Sequence, residues 1–330
     1  MKRLIVILLC LFTLTGCYNY IELDNLAVVS SIFIDYKDDK YKVNIEVYDE
    51  DDLVETFEET GASLTEAFNN AEEMSKRKFY FRHINAVIFT ESVPINDLVY
   101  YFFRNPDTND NFAFVYTNED KIYEDEEVNI GELIKNNIDD DDLCSFFEIM
   151  KGYINKLRDF AIPMFDGKKL GGMKAYKELD PKEEFNSEEE EIFKVLKNKN
   201  DGYLQAPCGD KDFIINIDSI KTKYKIDDKI KIKIELKTSI QEMNCDLDIT
   251  KPKDLLKLEK IAEESLESRM LEFMDTLKRE ETDILGINTF IMNKYKKLDK
   301  KFNEYEYEAD ADIAIYKKGL LLKWKKNLIY

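Results

Sequence analysis

The sequence predicts an α+β chain: a multi-domain, elongated body of mixed and antiparallel sheets packed with helices, behind a short N-terminal leader. Three observations lead there. Ile230, Ile232, Ile234 and Leu236 alternate with Lys229, Lys231, Lys233, Glu235 and Lys237, the period of a half-buried strand. Leu255, Leu258, Ala262, Leu266, Met270, Phe273 and Leu277 recur every three or four residues, the period of an amphipathic helix. Upstream of both, apolar runs and helical spacings take turns, as strands and helices of one α/β layer do.

The leader comes first. Met1, Lys2 and Arg3 make a basic head, Leu4–Leu14 an apolar core, and Leu14-Thr15-Gly16-Cys17 closes the segment. That order is a secretory signal peptide, and its core is well short of the roughly 20 residues a membrane-spanning helix needs. Thr15 and Gly16 are small enough for a peptidase cleft, and Cys17 offers a thiol for acylation. Leu-Thr-Gly-Cys resembles the lipobox of bacterial lipoproteins, which implies cleavage after Gly16 and a diacylglyceryl group on Cys17. The plainer alternative is an ordinary signal peptide with an incidental Cys17.

Residues 17–330 are long enough for two or three domains at about 100–200 residues each. The expected units are an N-terminal α/β domain over 17–123, a middle helical or α+β domain over 124–200, and a C-terminal α+β domain over 201–330. A hydrophobic fraction of 44% supports a proper core. With 48 basic and 68 acidic side chains the formal charge is −20, and −22 once Lys2 and Arg3 are cut away. Such a chain, taken as a whole, is repelled by nucleic acid and by anionic lipid heads. Nucleic acid is therefore excluded as a partner, and membrane attachment falls to the acyl chains; two of them hold stably where one does not.

Cys10 leaves with the leader and Cys17 carries lipid, so Cys144, Cys208 and Cys245 remain. An odd number without C-x-x-C spacing fits neither a disulfide framework nor a zinc site. A single Cys208–Cys245 bridge is one alternative; buried free thiols are the expectation.

Taken in order, the β-branched run Leu26–Ile34 predicts a strand, Asp38-Asp39-Lys40 a turn, and Tyr41, Val43, Ile45 and Val47 a partner strand with Lys42, Asn44 and Glu46 on its other face. This hairpin stands close to Cys17, so the folded body is expected near the bilayer. Leu64, Ala67, Phe68, Ala71 and Met74 fall at helical spacing behind a Ser63 cap. Ile84–Phe89 is the next strand, Pro94–Phe103 a helix opened by its proline, and Phe112–Tyr116 another strand. Acidic blocks at 124–127 and 139–142 bracket a short helix. Cys144–Phe160 reads as a second helix with Phe146, Phe147, Met150, Ile154 and Leu157 on one face. Leu170–Tyr176 is a strand, Glu188–Leu196 a helix whose acidic start suits the helix dipole, and Asn198–Gly202 a linker. After strand 229–237 and helix 252–278, Asp283-Ile284-Leu285-Gly286 breaks the chain and Thr289–Leu298 is a shorter helix. In the closing strand Tyr305–Tyr316 one face carries Glu306, Glu308, Asp310 and Asp312. Opposite charges on neighbouring strands attract, so this strand is expected beside 229–237.

Chemistry is scarce. His83 is the chain's one histidine, which excludes multi-histidine metal sites and leaves a structural role as its expectation. No G-x-G-x-x-G, Walker A, H-E-x-x-H or G-x-S-x-G pattern occurs. Carboxylates are too many for spacing to select a catalytic pair. The acidic blocks lack the alternating ligands and glycine of a calcium loop. No catalytic, cofactor-binding or metal-binding residue is nominated, and no cofactor is expected.

The residue order from Gly16-Cys17-Tyr18-Asn19-Tyr20-Ile21-Glu22-Leu23 through Ala27-Val28-Val29 to Phe33-Ile34-Asp35 resembles the opening of the Ger(x)C family of spore germination lipoproteins. Tyr18-Asn19 stands for that family's Trp-Asp and Phe33-Ile34-Asp35 for its Gly-Ile-Asp. His83 and Ile88-Phe89-Thr90-Glu91 are similar to its His…Ile-Phe-Gly-Glu segment, with Thr90 for glycine. Arg104-Asn105-Pro106-Asp107 is similar to its Arg-Asp segment, and Thr282–Gly286 and the closing strand to Gly319 also match. The resemblance implies a non-catalytic C subunit of a germinant receptor, made of three α/β-type domains. It implies a place on the extracytoplasmic face of the spore inner membrane, beside integral-membrane A and B subunits. Two rivals share some of these features. A solute-binding lipoprotein of a transporter predicts a cleft between two similar lobes; an envelope hydrolase predicts an organised carboxylate pair or a metal.

Overall fold

The computed structural model describes residues 25–48, 54–105, 107–109, 111–119, 122, 129–138, 145–155, 159–199 and 202–317. Gly16, Cys17, both acidic blocks, Cys144 and Leu157 lie outside them.

The first sheet is built around β1 (Leu26–Lys37). Asp38 and Asp39 take positive φ of 53° and 59°, the two-residue turn that matches strand twist, and return the chain antiparallel as β2 (Lys40–Tyr48). β3 (Val54–Gly61) adds to β2 as an outer strand. Helix α1 (Leu64–Ser75) starts where Ser63 Oγ accepts the Glu66 N–H, as its spacing predicts, and ends at Lys76 in the left-handed region. The short β4 (Lys78–Tyr80) then pairs parallel to the start of β1, Leu26 opposite Lys78. A 3₁₀ turn, Phe81–His83, leads to β5 (Ala86–Phe89), parallel to β1. Helix α2 (Ile95–Arg104), opened by Pro94, returns to β6 (Ala113–Thr117).

Two helices, α3 (Ile130–Asn137) and α4 (Phe146–Asn155), precede β7 (Phe160–Phe165), which joins β6 in parallel. Phe160 thus opens a strand rather than closing a helix. β8 (Leu170–Lys177) and β9 (Asp180–Phe185) complete the sheet antiparallel, in the order β3-β2-β1-β5-β6-β7-β8-β9 with β4 against β1. Helices α1, α2 and α4 cover one face through Phe68, Leu98, Phe102 and Ile149. Helix α3 covers part of the other through Ile130 and Ile134. Met74, Phe147 and Ile154, expected on buried faces, are exposed. Each lies on the solvent side of a helix that is covered by the sheet on one side only.

Helix α5 (Ser187–Leu196), capped reciprocally by Asn186 and Glu189, leads into the second sheet: β10 (Tyr203–Cys208), β11 (Lys211–Ile226), β12 (Ile230–Met243) and β13 (Tyr307–Lys317). Between β12 and β13 lie the long α6 (Pro252–Arg279) and α7 (Ile287–Tyr295). One core unites this sheet with α5, α6 and α7 and reaches Met173, Ala175 and Phe185 of β8 and β9. Phe185 meets Phe273 of α6 with ring centroids 5.1 Å apart.

The acidic strand lies where its charge pattern places it. β13 runs parallel to β12, with Lys231 opposite Glu308 and Lys233 opposite Asp310. Lys231 reaches Glu308 at 2.7 Å, and Lys229 reaches Glu306 at 3.0 Å. The outer edge of β13 is closed from α6: Glu267, Glu263 and Glu259 accept the N–H groups of Ala311, Ile313 and Ile315 at 2.9, 3.1 and 2.9 Å. Four-residue spacing on a helix thus satisfies the alternate amides of a strand, which would otherwise stand open to pairing.

Two further findings depart from the sequence reading. Glu46, expected on a polar strand face, is fully buried. α3 lies over that face, and the carboxylate accepts Ile130 N–H at 2.8 Å, Gly131 N–H at 2.9 Å and Ser31 O–H at 2.7 Å. Cys208 and Cys245, expected free, form a disulfide across Cα atoms 5.8 Å apart. The antiparallel turns of β10, β11 and β12 bring the ends of β10 and β12 together, with Cys208 opposite Lys211 and Phe213 opposite Met243.

Glu46→Ala strands three buried donors, each costing about 1–3 kcal/mol. Its denaturant midpoint should fall by the equivalent of at least about 3 kcal/mol with the slope unchanged. Cys208→Ser should cost about 2–4 kcal/mol, and both thiols of the native chain should resist alkylation until a reductant is added.

Candidate functional site

Three polar joints and one cleft collect the residues singled out in the sequence. The first joint stands at the carboxyl ends of β1 and β5. Asp35 Oδ1 accepts Thr90 Oγ1–H at 2.6 Å and Ser92 Oγ–H at 2.8 Å, while Ser92 Oγ accepts the Tyr36 N–H at 3.0 Å. Burial works to raise the Asp35 carboxyl, but the Thr90 and Ser92 bonds prevail and hold it below the usual range. One residue on, Glu91 stands 3.6 Å from the buried ammonium of Lys174. That ammonium donates to Glu184 at 3.0 Å and lies 5.2 Å from the centre of the Tyr116 ring. The Phe33-Ile34-Asp35 and Ile88-Phe89-Thr90-Glu91 segments, far apart in sequence, therefore lock β1, β5, β8 and β9 together. Every charge in this joint has a partner, an arrangement that fixes strands rather than one that turns over substrate.

The second joint ties the first sheet to the end of α6. Asp159, just before β7, donates its N–H to Asp283 O at 3.2 Å, and its Oδ2 accepts the Asp283 N–H at 2.7 Å. The Asp283 carboxylate, almost fully buried, accepts Ile287 N–H at 2.8 Å and Asn288 N–H at 2.7 Å, so it caps α7. Burial pushes the Asp283 carboxyl up to about 7, with the nearby Asp159 carboxylate adding to the rise and the two N–H groups opposing it. Burial also raises Asp159. The Thr282–Gly286 break is thus a joint between sheets as well as a helix stop.

The third joint is Glu46 with α3. Ser30 Oγ–H donates to the α3 cap residue Asn129 at 2.8 Å. A Cβ on Gly131 would lie 2.2 Å from Ser30 Oγ, so only glycine allows this approach. Strand alternation alone gives no signal for Glu46; the cue in the sequence is the cap-and-glycine pair Asn129-Ile130-Gly131, which fits a helix start pressed against a neighbour.

The cleft, about 680 Å³ and open to solvent, lies between the turn before α1 and the outer side of α2. Tyr41 O–H donates to Asp97 Oδ2 on its wall. Burial and then that carboxylate push the Tyr41 hydroxyl well above its ordinary value. Tyr101 stacks on Phe68 at 4.9 Å, and the Arg104 guanidinium lies 6.0 Å over Tyr100. The cleft sits beside one sheet layer, not between two matching lobes.

His83 is exposed in its 3₁₀ turn, 5.6 Å from the Tyr80 ring. Among the described residues no three His, Cys, Asp or Glu side chains form a cation cage, and no described helix is long and apolar enough to cross a membrane.

Comparison with known proteins adds what geometry alone does not. A family model described as the spore germination protein N-terminal domain matches residues 19–166. A second, described as spore germination B3/GerAC like, C-terminal, matches residues 182–318. The spore germination protein GerQC of Bacillus cereus is 22% identical over 357 aligned positions, covering 97% of this chain and 99% of the relative. The spore germination protein KC of Bacillus subtilis (strain 168) is 22% identical over 389, covering 94% and 92%. The crystal structure of the GerBC protein shares the fold at a TM-score of 0.55 and 16% identity, over 87% of this chain and 97% of that one.

The Asp283 joint carries a pH dependence of defined sign. A carboxyl raised from about 4 in the unfolded chain favours the folded state when protonated. Its contribution is full below about pH 4 and is lost as pH rises through the folded value of about 7. The gap corresponds to something on the order of 4 kcal/mol. Unfolding of the native chain and of Asp283→Asn, followed by denaturant between pH 4 and pH 8, should show the native chain losing more stability with rising pH.

Proposed function

This chain belongs to the GerAC-like family of spore germination proteins, and we propose that it serves as the lipid-anchored C subunit of a germinant receptor. It is a receptor subunit and not an enzyme. The observation that carries the reading is the coverage: the two family models follow one another over almost the whole chain, in order. Cleavage after Gly16 leaves Cys17 as the first residue, acylated and held in the extracytoplasmic leaflet of the spore inner membrane. The body then acts through contacts with A- and B-type integral-membrane subunits in nutrient-triggered germination. The interlocked joints of Asp35, Glu46 and Asp283 support a body built for rigid presentation of its surfaces.

A solute-binding role is less well supported, because it needs a closing cleft between lobes, and the cleft beside α2 has a single sheet layer behind it. An envelope hydrolase is less well supported still, since the buried Glu46 and Asp283 and the half-buried Asp35 are spent on amides and hydroxyls.

Cys17→Ala should move the protein from the membrane fraction to the soluble fraction and abolish incorporation of radiolabelled palmitate. Spores carrying it in place of the native chain should germinate poorly with nutrients yet normally with a receptor-independent trigger. A variant that stays membrane-bound without label would refute the anchor.

A further inference from the structure

β13 leads into a stretch of sequence unlike the rest of the chain. Residues 317–330 read Lys-Lys-Gly-Leu-Leu-Leu-Lys-Trp-Lys-Lys-Asn-Leu-Ile-Tyr, with five lysines and not one acid in a chain of net charge −20. Leu320, Leu321 and Leu322, then Trp324, then Leu328, Ile329 and Tyr330 take turns with the cations, and Trp324 is the chain's one tryptophan. Lysine heads among leucines and an indole ring are the composition of a segment that lies on an anionic bilayer. The match to the family's C-terminal model stops at residue 318, so family membership does not account for it. Residues 318–330 lie outside those described; the fold fixes where they leave the body.

Asp159, which meets Asp283 just after α6, precedes β7, and β7 runs parallel to β1 by way of β6 and β5. That joint therefore lies toward the edge where β1 begins, and Leu26 there is nine positions after Cys17. α6 and β13 run in opposite senses, since Glu267, Glu263 and Glu259 meet Ala311, Ile313 and Ile315 in turn. The end of β13 thus stands beside the start of α6, about 40 Å from the Asp283 joint. Cys17 precedes one end of the body, and β13 releases its lysines at the other.

The described surface at this second end does not cancel that charge. Lys211, Lys251, Lys257 and Lys260 each meet a carboxylate at 3.4–3.6 Å. The acids left over, Asp210, Asp212 and Glu242, are fewer than the five lysines that follow Tyr316. Lys253, in the first turn of α6, is exposed and has no carboxylate partner among the described residues. Leu256 and Tyr316, large apolar side chains beside the exit of the tail, are 64% and 50% exposed. An acidic protein is cationic here, and apolar groups stand among the cations.

We propose that residues 318–330 bind the anionic lipid headgroups of the bilayer that holds Cys17, so that the body is pinned near both ends and lies along the membrane. The inference adds a second contact to the anchoring proposed above. Each lysine at an anionic surface contributes roughly fivefold to the apparent affinity, and salt screens it. A tail of this kind holds weakly by itself, so the acyl chains still decide whether the protein sediments with membranes. Once they are inserted, the tail meets the surface at an effective concentration on the order of millimolar, and the weak contact is occupied.

Trp324 makes the test direct, because tryptophan emission reports this segment alone. The full lipidated chain is placed in protein-free vesicles of phosphatidylcholine, with or without phosphatidylglycerol, and quenching by a lipid brominated on its acyl chains is measured. Quenching should be several-fold stronger with phosphatidylglycerol, with emission shifted to the blue, and should fall back at high salt. In a Lys323→Gln, Lys325→Gln, Lys326→Gln variant, which leaves the described body untouched, it should weaken several-fold while the chain stays vesicle-bound. Vesicle-bound chain whose Trp324 is quenched equally with and without phosphatidylglycerol would overturn the proposal. So would emission already blue in phosphatidylcholine and shielded from the brominated lipid throughout, which assigns the tail to the chain's own body. A shift confined to native membranes would overturn it too, by assigning the tail to a protein partner. Chain left in the supernatant of phosphatidylcholine vesicles would refute the Cys17 anchor alone, since quenching in phosphatidylglycerol vesicles at low salt then reads the tail by itself.

Discussion

A carboxylate removed from water must be given donors, and the donors that Glu46 takes fix the architecture of the first sheet. Burying such a charge unpaired costs several kcal/mol. Glu46 avoids this by accepting two backbone N–H groups from the first turn of α3 and the hydroxyl of Ser31 on β1. The β1–β2 hairpin and a helix more than eighty residues further on are thereby held at one point, at the positive end of a helix dipole. Shifting β2 by one residue would turn Glu46 to the opposite face and leave those donors orphaned. Register in β1 and β2, the seat of α3 and the choice of glycine at 131 all follow from one buried charge.

How much of this was legible depended on whether a signal was local. The β1–β2 hairpin, α1 behind Ser63, the Pro94 helix start, α6 and the β12–β13 pairing were all readable from period, cap and charge. What escaped was set by partners far along the chain. Glu46 alternates like a solvent-facing residue and is buried only because α3 returns from more than eighty residues away. Phe160 continues a helical pattern, yet its neighbours in β8 claim it for a strand; it stacks on Tyr176 at 5.3 Å. β10 and β11 carry irregular mixtures of charge and apolar residues, and only their pairing with β12 makes strands of them. The Cys208–Cys245 bridge follows from that pairing and from nothing in the spacing. As for the sites, the segments picked by resemblance turned out to be joints: Asp35 with Thr90, and Asp283 with Asp159. Resemblance located them, and geometry supplied what they do.

The second sheet meets a different constraint, an edge that must not pair. β13 is a long outer strand, and its partner β12 satisfies only one of its sides. Proteins usually blunt such an edge with bulges, prolines or inward charges. Here α6 lays three glutamates, one per helical turn, against three alternate amides. Helix and strand periods do not match over long distances, since four helical residues rise about 6 Å and two strand residues about 6.7 Å. Over three contacts the mismatch stays small enough for flexible glutamate side chains to absorb. The same acids that make the composition so negative are, on this face, part of the hydrogen-bond ladder.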